Sequence, residues 1–576
     1  MKENIYRNVY CGMVDTSYVG KEVRIAGWVN SIRKLGAIAF LTIRDEKGIV
    51  QVVTDDESKL KDIVRESTVT ITGKVRKREG DANPNMKTGE IEIVLDTIEV
   101  LGKCKSVLPF EISRNREASE ETRLKYRYLD LRNEKNHENI LLRSRVIDYI
   151  REIMKGMDFV EISTPIISTS SPEGARDFVI PSRNYKGKFY ALPQAPQIYK
   201  QLLLVSGFNR YFQIAPCFRD EDCRADRTLE FYQLDFEMSF VTEEDVFEVG
   251  QKVFYDVFTK FGNKKVTSIP FPRFTWKEAM EKYGSDKPDL RNPLMIEDIT
   301  EIFKDTEFIG FRDKTVKAIK FNLYDKPNSW FKKCEEFVKE KGAGGLAYIK
   351  YTEEGLKSTI LKFLSEKEIE EIENKFDLKG GNVLFLVAGN NISKIMGHLR
   401  NYLGSELNLI NENEYAFCII NEFPMYEYNE EEKRWDFEHN PFNMPKGGIR
   451  AFDTDDYGSI VANQYDFVCN DNEMASGAVR NHDIDIMKKA FEIAGYHEEV
   501  IENKFRSLYN AFQYGAPPHA GMAPGIDRII MLLTGEENLR EVQVFPPNVS
   551  GQDLLMGGPN ELDERQLREL HIKITD

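Results

Sequence analysis

The chain has 576 residues, 41% of them hydrophobic and 11% aromatic, and a formal net charge of −16. That length exceeds one ordinary domain and predicts three or four, while the apolar content excludes a disordered chain. The acidic balance excludes a protein that coats nucleic acid indiscriminately. No stretch reaches signal or transmembrane length, and seven cysteines without a CxxC pair suit a reduced compartment, so a soluble cytoplasmic protein without a membrane partner is expected.

Residues 1–105 alternate in the strand manner: EVRIAGWVNSIR, AIAFLTIRD, GIVQVVTD, TVTITGKVRKR and GEIEIVLDTIEVL, with one helical segment near Ser58–Glu66. Five short strands predict a small Greek-key barrel of OB type, a fold that commonly offers one face to single-stranded nucleic acid. With 18 Lys+Arg against 16 Asp+Glu this module is near neutral on an acidic body. Residues 106–135 are charged and read as a helical hinge. From Asn136 to about Met157, Ile140, Ile147, Ile150 and Met154 recur at helical spacing, and DFVEISTPII follows as a strand interrupted by Pro165. Strand-like VKAIKFN, GLAYIKY and NVLFLVAG alternate with helical segments over 290–415. This predicts a self-contained α+β insertion that splits a catalytic body into 136–289 and 416–576.

Three segments carry groups suited to chemistry. The first is FRDEDCRADRTLEFYQLDFEMSF, Phe218–Phe240, read as the loop and second strand of a hairpin whose first strand is Tyr211–Glu221. Apolar Tyr232, Leu234, Phe236 and Met238 alternate with Phe231, Gln233, Asp235 and Glu237, so one face packs on a core and the other offers charges and a ring. With Arg219, Glu221, Arg224 and Arg227 nearby, that face suits a nucleoside triphosphate. The second is GMAPGIDRIIMLL, where a glycine before a helix lets a ligand approach the backbone and Arg528 lies in the first turn. The third is QYDFVCNDNEMASGAVRNHD. Its turn formers Asn470–Asn472 predict a hairpin over 464–469 and 473–480 that sets Asp466 beside Glu473, a hard oxygen pair suited to Mg²⁺ shared with phosphates.

Together these segments resemble the class II aminoacyl-tRNA synthetases of the bacterial aspartate type. Phe218–Phe240 resembles their motif 2 and Gly525–Arg528 their motif 3, and Asn136–Ile167 is similar to motif 1, which in the family forms a homodimer interface. The resemblance implies a multidomain α+β chain: an N-terminal OB-fold β-barrel, a class II antiparallel-sheet catalytic domain and an inserted α+β domain. It implies an ATP-dependent ligase with L-aspartate and tRNA-Asp as partners. Arg219 and Arg528 would be the catalytic cations, and ATP would meet Arg219, Asp220, Glu221, Phe231, Glu473, Gly525, Ile526, Asp527 and Arg528. Aspartate would meet Glu173, Gln197, Lys200, Arg219, Asp235, His439 and Arg480. Arg33, Leu35, Phe40, Gln51 and Glu92 would read the anticodon.

Three positions depart from the commonest family pattern: Thr228 where many relatives have Gln, HNPF at 439–442, and EMASGAV at 473–479. Leu35 favours charging of tRNA-Asp alone over the alternative that tRNA-Asn is also aspartylated. A non-catalytic tRNA-binding homologue is disfavoured because Arg219, Glu473 and Arg528 are present. A free-standing asparagine-forming enzyme is disfavoured by the barrel, for which it has no use.

Overall fold

A computed structural model describes residues 4–170, 174–323 and 326–575, and the chain forms two compact units, 1–118 and 119–576. In the first unit, β1 (Glu22–Leu35), β2 (Ile38–Asp45), β3 (Gly48–Thr54), β4 (Thr68–Lys77) and β5 (Ile91–Gly102) close into a barrel in the order β1-β2-β3-β5-β4. Alternate residues such as Ile25, Val29, Leu41, Ile43, Val52 and Ile71 point inward and fill it. The helix expected near Ser58–Glu66 is only the 3₁₀ turn Glu57–Leu60. Asp62 and Glu66 take positive φ (70° and 63°), which a helix does not tolerate.

The second unit is built on an eight-stranded sheet. Its elements in chain order are α1 (Glu134–Gly156), β6 (Val160–Glu161), α2 (Gln197–Val205), β7 (Arg210–Phe218), β8 (Glu230–Ser239), α3 (Glu243–Phe261), β9 (Arg273–Thr275), β10 (Phe417–Pro424), β11 (Val461–Cys469), β12 (Asn472–Val479), β13 (His519–Pro524) and α4 (Ile526–Thr534). The strand order is β9-β10-β11-β12-β13-β8-β7-β6, antiparallel except for the two edge pairs. Asn133 caps α1 by accepting the N–H of Lys135 at 3.0 Å. One face of the sheet packs Leu234, Phe236, Met238, Phe417, Tyr465, Phe467 and Met522 against α1, α3 and α4. On the opposite face Cys418, Ile420 and Val468 pack against Ala279 and Tyr283, while the face of β8 carries polar groups.

The hairpin β7–β8 forms in register, Phe218 opposite Glu230 and Gln213 opposite Asp235. Its first strand stops at Phe218 rather than Glu221, because the Asp220 N–H bonds the carbonyl of Arg176 and draws the chain out of the ladder. β11–β12 turns through Asn470 and Asp471, both at positive φ (50° and 69°), as a tight two-residue hairpin requires. The DFVEISTPII segment contributes only the short β6. Within 290–415 a separate five-stranded sheet carries an apolar core on each face, with helices Asn328–Glu340 and Ser393–Glu406 on one and Glu366–Phe376 on the other. Residues 119–135 lie against the segment 540–544. Buried Arg127 donates to the carbonyls of Arg540, Gln543 and Val544, and Arg123 forks onto Glu541.

Candidate active site

The alternation of β8 sends Asp235 and Glu237 to the polar face, both without solvent exposure. Lys200, on α2, reaches between them, 2.8 Å from Asp235 Oδ2 and 3.1 Å from Glu237 Oε2. Arg480, just past β12, donates from Nε at 2.7 Å and from Nη2 at 3.3 Å to the two Glu237 oxygens. Two cations and two anions make a neutral buried set. Gly521 lies opposite Glu237 in the β8–β13 ladder, and a Cβ there would stand 2.1 Å from the Phe236 carbonyl and 2.5 Å from Glu237 Oε2, so this position admits no side chain.

Burial pushes both carboxyls up, but Arg480 and Lys200 overcome it at Glu237 and hold that group down at about 2. At Asp235 burial wins over Lys200 and the carboxyl is raised. Buried His519 is pushed down to about 4 by desolvation against the pull of Glu237, with Nδ1 facing the Pro517 carbonyl at 2.8 Å. Arg480 has spent one edge of its guanidinium on Glu237, and its Nη1 makes no hydrogen bond among the described residues. Asp235 Oδ1, Gln197 Nε2, Arg219 Nε, Thr228 Oγ1 and Asp466 Oδ1 are buried without hydrogen-bond partners. Orphaned buried polar atoms in such number are the mark of a ligand site.

A second cluster adjoins β12. Arg528, in the first turn of α4, donates Nη1 to the Glu473 carbonyl at 2.6 Å, stands 3.9 Å from its Oε1 and is 3.5 Å from Asp226. Lys287 is 2.8 Å from Glu473 Oε2. Burial pushes the Glu473 carboxyl up, yet Lys287, Arg528 and Arg219 together hold it below the ordinary carboxylate value. Asp466 is raised well above the usual carboxylate range by burial and by Glu473. The guanidinium of Arg219 lies 5.1 Å above the Phe231 ring. At Gly525 a Cβ would meet nothing closer than 3.9 Å, so the space beside it is open to a ligand.

The remaining predicted residues are distributed unevenly. Asp220 and Glu221 form partly exposed ion pairs with Arg176 and Arg227. Ile526 puts its side chain in the core, leaving its backbone for contacts. Both Asp527 oxygens are engaged, one by Arg143 at 2.5 Å and the other by the Tyr232 N–H at 2.9 Å, which ties α4 to α1 and β8. His439 is exposed, its ring edge-on to Phe423. Glu173 lies outside the described residues. On the barrel, Arg33 pairs with Phe40 across β1–β2, and Phe40 stands outside the core between inward Ala39 and Leu41. Gln51 donates to Glu92 at 2.8 Å, and Arg76 grips the other oxygen of Glu92 at 2.8 Å. Leu35 ends β1 at the hairpin tip and is 75% exposed.

Residues 119–549 match the family model of tRNA synthetases class II (D, K and N), and residues 23–101 match that of the OB-fold nucleic acid binding domain. The chain belongs to the class II tRNA synthetases. It is 49% identical to the aspartate–tRNA(Asp/Asn) ligase of Gluconobacter oxydans, covering 99% of this chain and 98% of that protein. It is equally 49% identical, over the same shares, to the aspartate–tRNA ligase of Streptomyces coelicolor. Among solved structures, the asparaginyl-tRNA synthetase of Pyrococcus horikoshii has the same fold at 19% identity, with a TM-score of 0.59 over 94% of this chain and 98% of that one.

Three charged residues of this class II synthetase escaped the sequence reading. Glu237 was visible on the polar face of the hairpin, but nothing local marks it as the counter-ion of Arg480, 243 residues away. Lys287 sits in YGSDKPDLRNP, next to the insertion, and meets Glu473 only through the fold. Arg76 is one of several basic residues on its strand, and only the barrel register turns it onto Glu92.

Proposed function

We propose that this class II synthetase joins L-aspartate to tRNA-Asp through an aspartyl-adenylate made from ATP. The observation that carries the reading is the neutral buried set of Lys200, Asp235, Glu237 and Arg480, with Asp235 Oδ1 and Gln197 Nε2 left unpartnered beside it. Asp235 Oδ1, with Gln197 and Glu173, receives the substrate ammonium. The free edge of Arg480, with Lys200, receives the side-chain carboxylate. Asparagine would turn an amide towards those cations and leave buried charge unpaired, a cost of several kcal/mol that supports discrimination on the order of 10⁴.

The α-carboxylate of aspartate attacks the α-phosphate of ATP, the bond to the β-phosphate oxygen breaks, and pyrophosphate leaves. Arg219 offsets charge growing at the α-phosphate, Arg528 holds the γ-phosphate, and Phe231 supplies the adenine platform. The terminal ribose hydroxyl of the tRNA then takes the aspartyl group and AMP departs.

The donor set fits a magnesium ion. Asp466 and Glu473 offer hard oxygens, Asp466 Oδ1 is buried and unpartnered, and no third His, Cys, Asp or Glu completes a cluster among the described residues. Phosphate and water would therefore fill the other positions. Bound there, the ion would offset triphosphate charge.

A homodimer is supported by exposed apolar residues gathered after α1, with Val160, Ile167, Val179 and Phe189 each more than half exposed. Leucine at position 35, by the resemblance, supports charging of tRNA-Asp alone. Relatives of both names stand at the same identity, so overall similarity does not decide the range. Among the described residues no helix is long and apolar enough to cross a membrane and no disulfide is formed, which suits the cytoplasm.

Aspartylation of purified tRNA-Asp and tRNA-Asn tests the reading. Charging of tRNA-Asp alone is expected. Efficient charging of tRNA-Asn overturns the single-tRNA range, and charging of neither overturns the activity.

A further inference from the structure

Lys287 belongs to no predicted set of site residues, yet its ammonium reaches Glu473, one of the two carboxylates assigned above to magnesium. The stretch that carries it, 284–294, is clamped to the inserted helix Ser393–Glu406. Gly284 and Gly397 meet backbone to backbone: a Cβ on Gly284, at φ +67°, would stand 2.4 Å from Gly397 N, and one on Gly397 would stand 2.4 Å from Gly284 O. Buried Arg400 donates to the carbonyls of Leu294 at 2.7 Å, Asp289 at 2.9 Å and Asn292 at 2.6 Å. Arg291 forks onto Asp289 at 3.0 and 2.8 Å. Such a tether has little freedom, so the ammonium 2.8 Å from Glu473 Oε2 is delivered to that point by the fold.

We propose that Lys287 is a resident counter-cation that holds the Asp466/Glu473 position in the empty enzyme and yields it only when metal arrives with nucleotide. The proposal rests on the assignment of these two carboxylates to magnesium given above. Its basis is the geometry. Glu473 is the only carboxylate within ion-pair distance of Lys287 among the described residues, and the ammonium sits on the oxygen that a metal would need. The pair is at the rim, with 37% and 29% of the two side chains exposed, so it can open. A free divalent ion must displace the ammonium and loses that competition. A metal already bound to triphosphate brings its own phosphate oxygens, and those anions can take up the ammonium it displaces. The tether thereby makes the inserted domain part of the loading step.

The test is binding of Mn²⁺, as a magnesium substitute, to the full-length protein without and with a non-hydrolysable ATP analogue, followed by electron paramagnetic resonance. In Lys287→Met, Mn²⁺ without nucleotide should bind at least about fivefold tighter than in wild type, the scale of one partly screened ion pair. The enhancement of Mn²⁺ binding by the analogue should shrink by the same factor. Lys287→Arg keeps the charge and should behave as wild type. Unchanged metal affinity in a folded Lys287→Met, or a gain of equal size in Lys287→Arg, overturns the proposal. Should Lys287→Met fail to fold, Lys287→Gln takes its place under the same criteria. Glu473→Gln separates the two readings: if it leaves Mn²⁺ binding intact with and without nucleotide, the assignment of the metal site fails, whatever Lys287 does.

Discussion

Replacing Glu237 by Gln removes one charge from a fully buried set and leaves Lys200 and Arg480 with only Asp235 between them. The carboxyl titrates at about 2 in the folded chain against 4.5 ordinarily. At about 1.4 kcal/mol per unit, that depression makes the ionised group worth about 3 kcal/mol at neutral pH. Breaking a buried pair by removing one partner costs about 3–5 kcal/mol, which agrees. Unfolding entropy of about 2 cal/mol/K per residue over residues 119–576 converts this to a fall in Tm of roughly 3 °C. Because the folded value is the lower one, this stability is fully present above pH 4.5 and is lost as pH falls towards 2. Scanning calorimetry of wild type and E237Q from pH 8 to pH 3 should show a constant gap down to about 4.5 that narrows below it. A gap under about 1 °C at pH 7, or one that persists unchanged at pH 3, would refute the assignment of Glu237 as the dominant counter-ion.

Other outcomes follow from the same geometry. His519, lowered from 6.5 to about 4, stays neutral in the fold and takes up its proton more readily unfolded, so stability should fall as pH drops from 6.5 to 4, by about 3 kcal/mol. His519→Gln should flatten that part of the pH–stability curve, and an unchanged slope would exclude it. Arg528→Ala should slow aspartate-dependent ATP–pyrophosphate exchange by about 10²–10³ while leaving the melting temperature within a few degrees, because it removes the cation given to the γ-phosphate of the departing pyrophosphate. Arg76→Ala frees one Glu92 oxygen on the barrel and should weaken kcat/KM for tRNA about tenfold with exchange unaffected. A loss in exchange would place Arg76 elsewhere in the account. Gly521→Ala should destabilise by several kcal/mol, since the clash at 2.1 Å is with backbone; a stable G521A with native exchange would contradict the packing.

Local alternation made the frame legible. The period-two pattern of Phe231–Met238 assigned each side chain of β8 to its face, because a strand has only two faces and one of them is core. The turn Asn470–Asp471 was legible for a similar reason, as those residues tolerate the positive φ that a tight hairpin demands. Shorter-range cues misled where tertiary bonds intervened: β7 ends at Phe218 because a distant carbonyl captures Asp220, and the segment DFVEISTPII, expected as a strand interrupted by Pro165, yields a strand of two residues. What could not be read was the pairing of charges. Sequence offers Lys200, Asp235, Glu237 and Arg480 as four separate ions, and only the fold makes them one neutral set. Lys287 and Glu473 lie 186 positions apart with the whole insertion between them, and no periodicity couples such positions.

ATP–pyrophosphate exchange by the full-length protein, measured with L-aspartate and with L-asparagine at equal concentrations, bears most directly on the central claim. Brisk exchange with aspartate, and exchange lower by about 10⁴ with asparagine, is the predicted result. Equal rates with the two amino acids, or exchange with asparagine alone, would contradict the role given to Arg480 and Lys200.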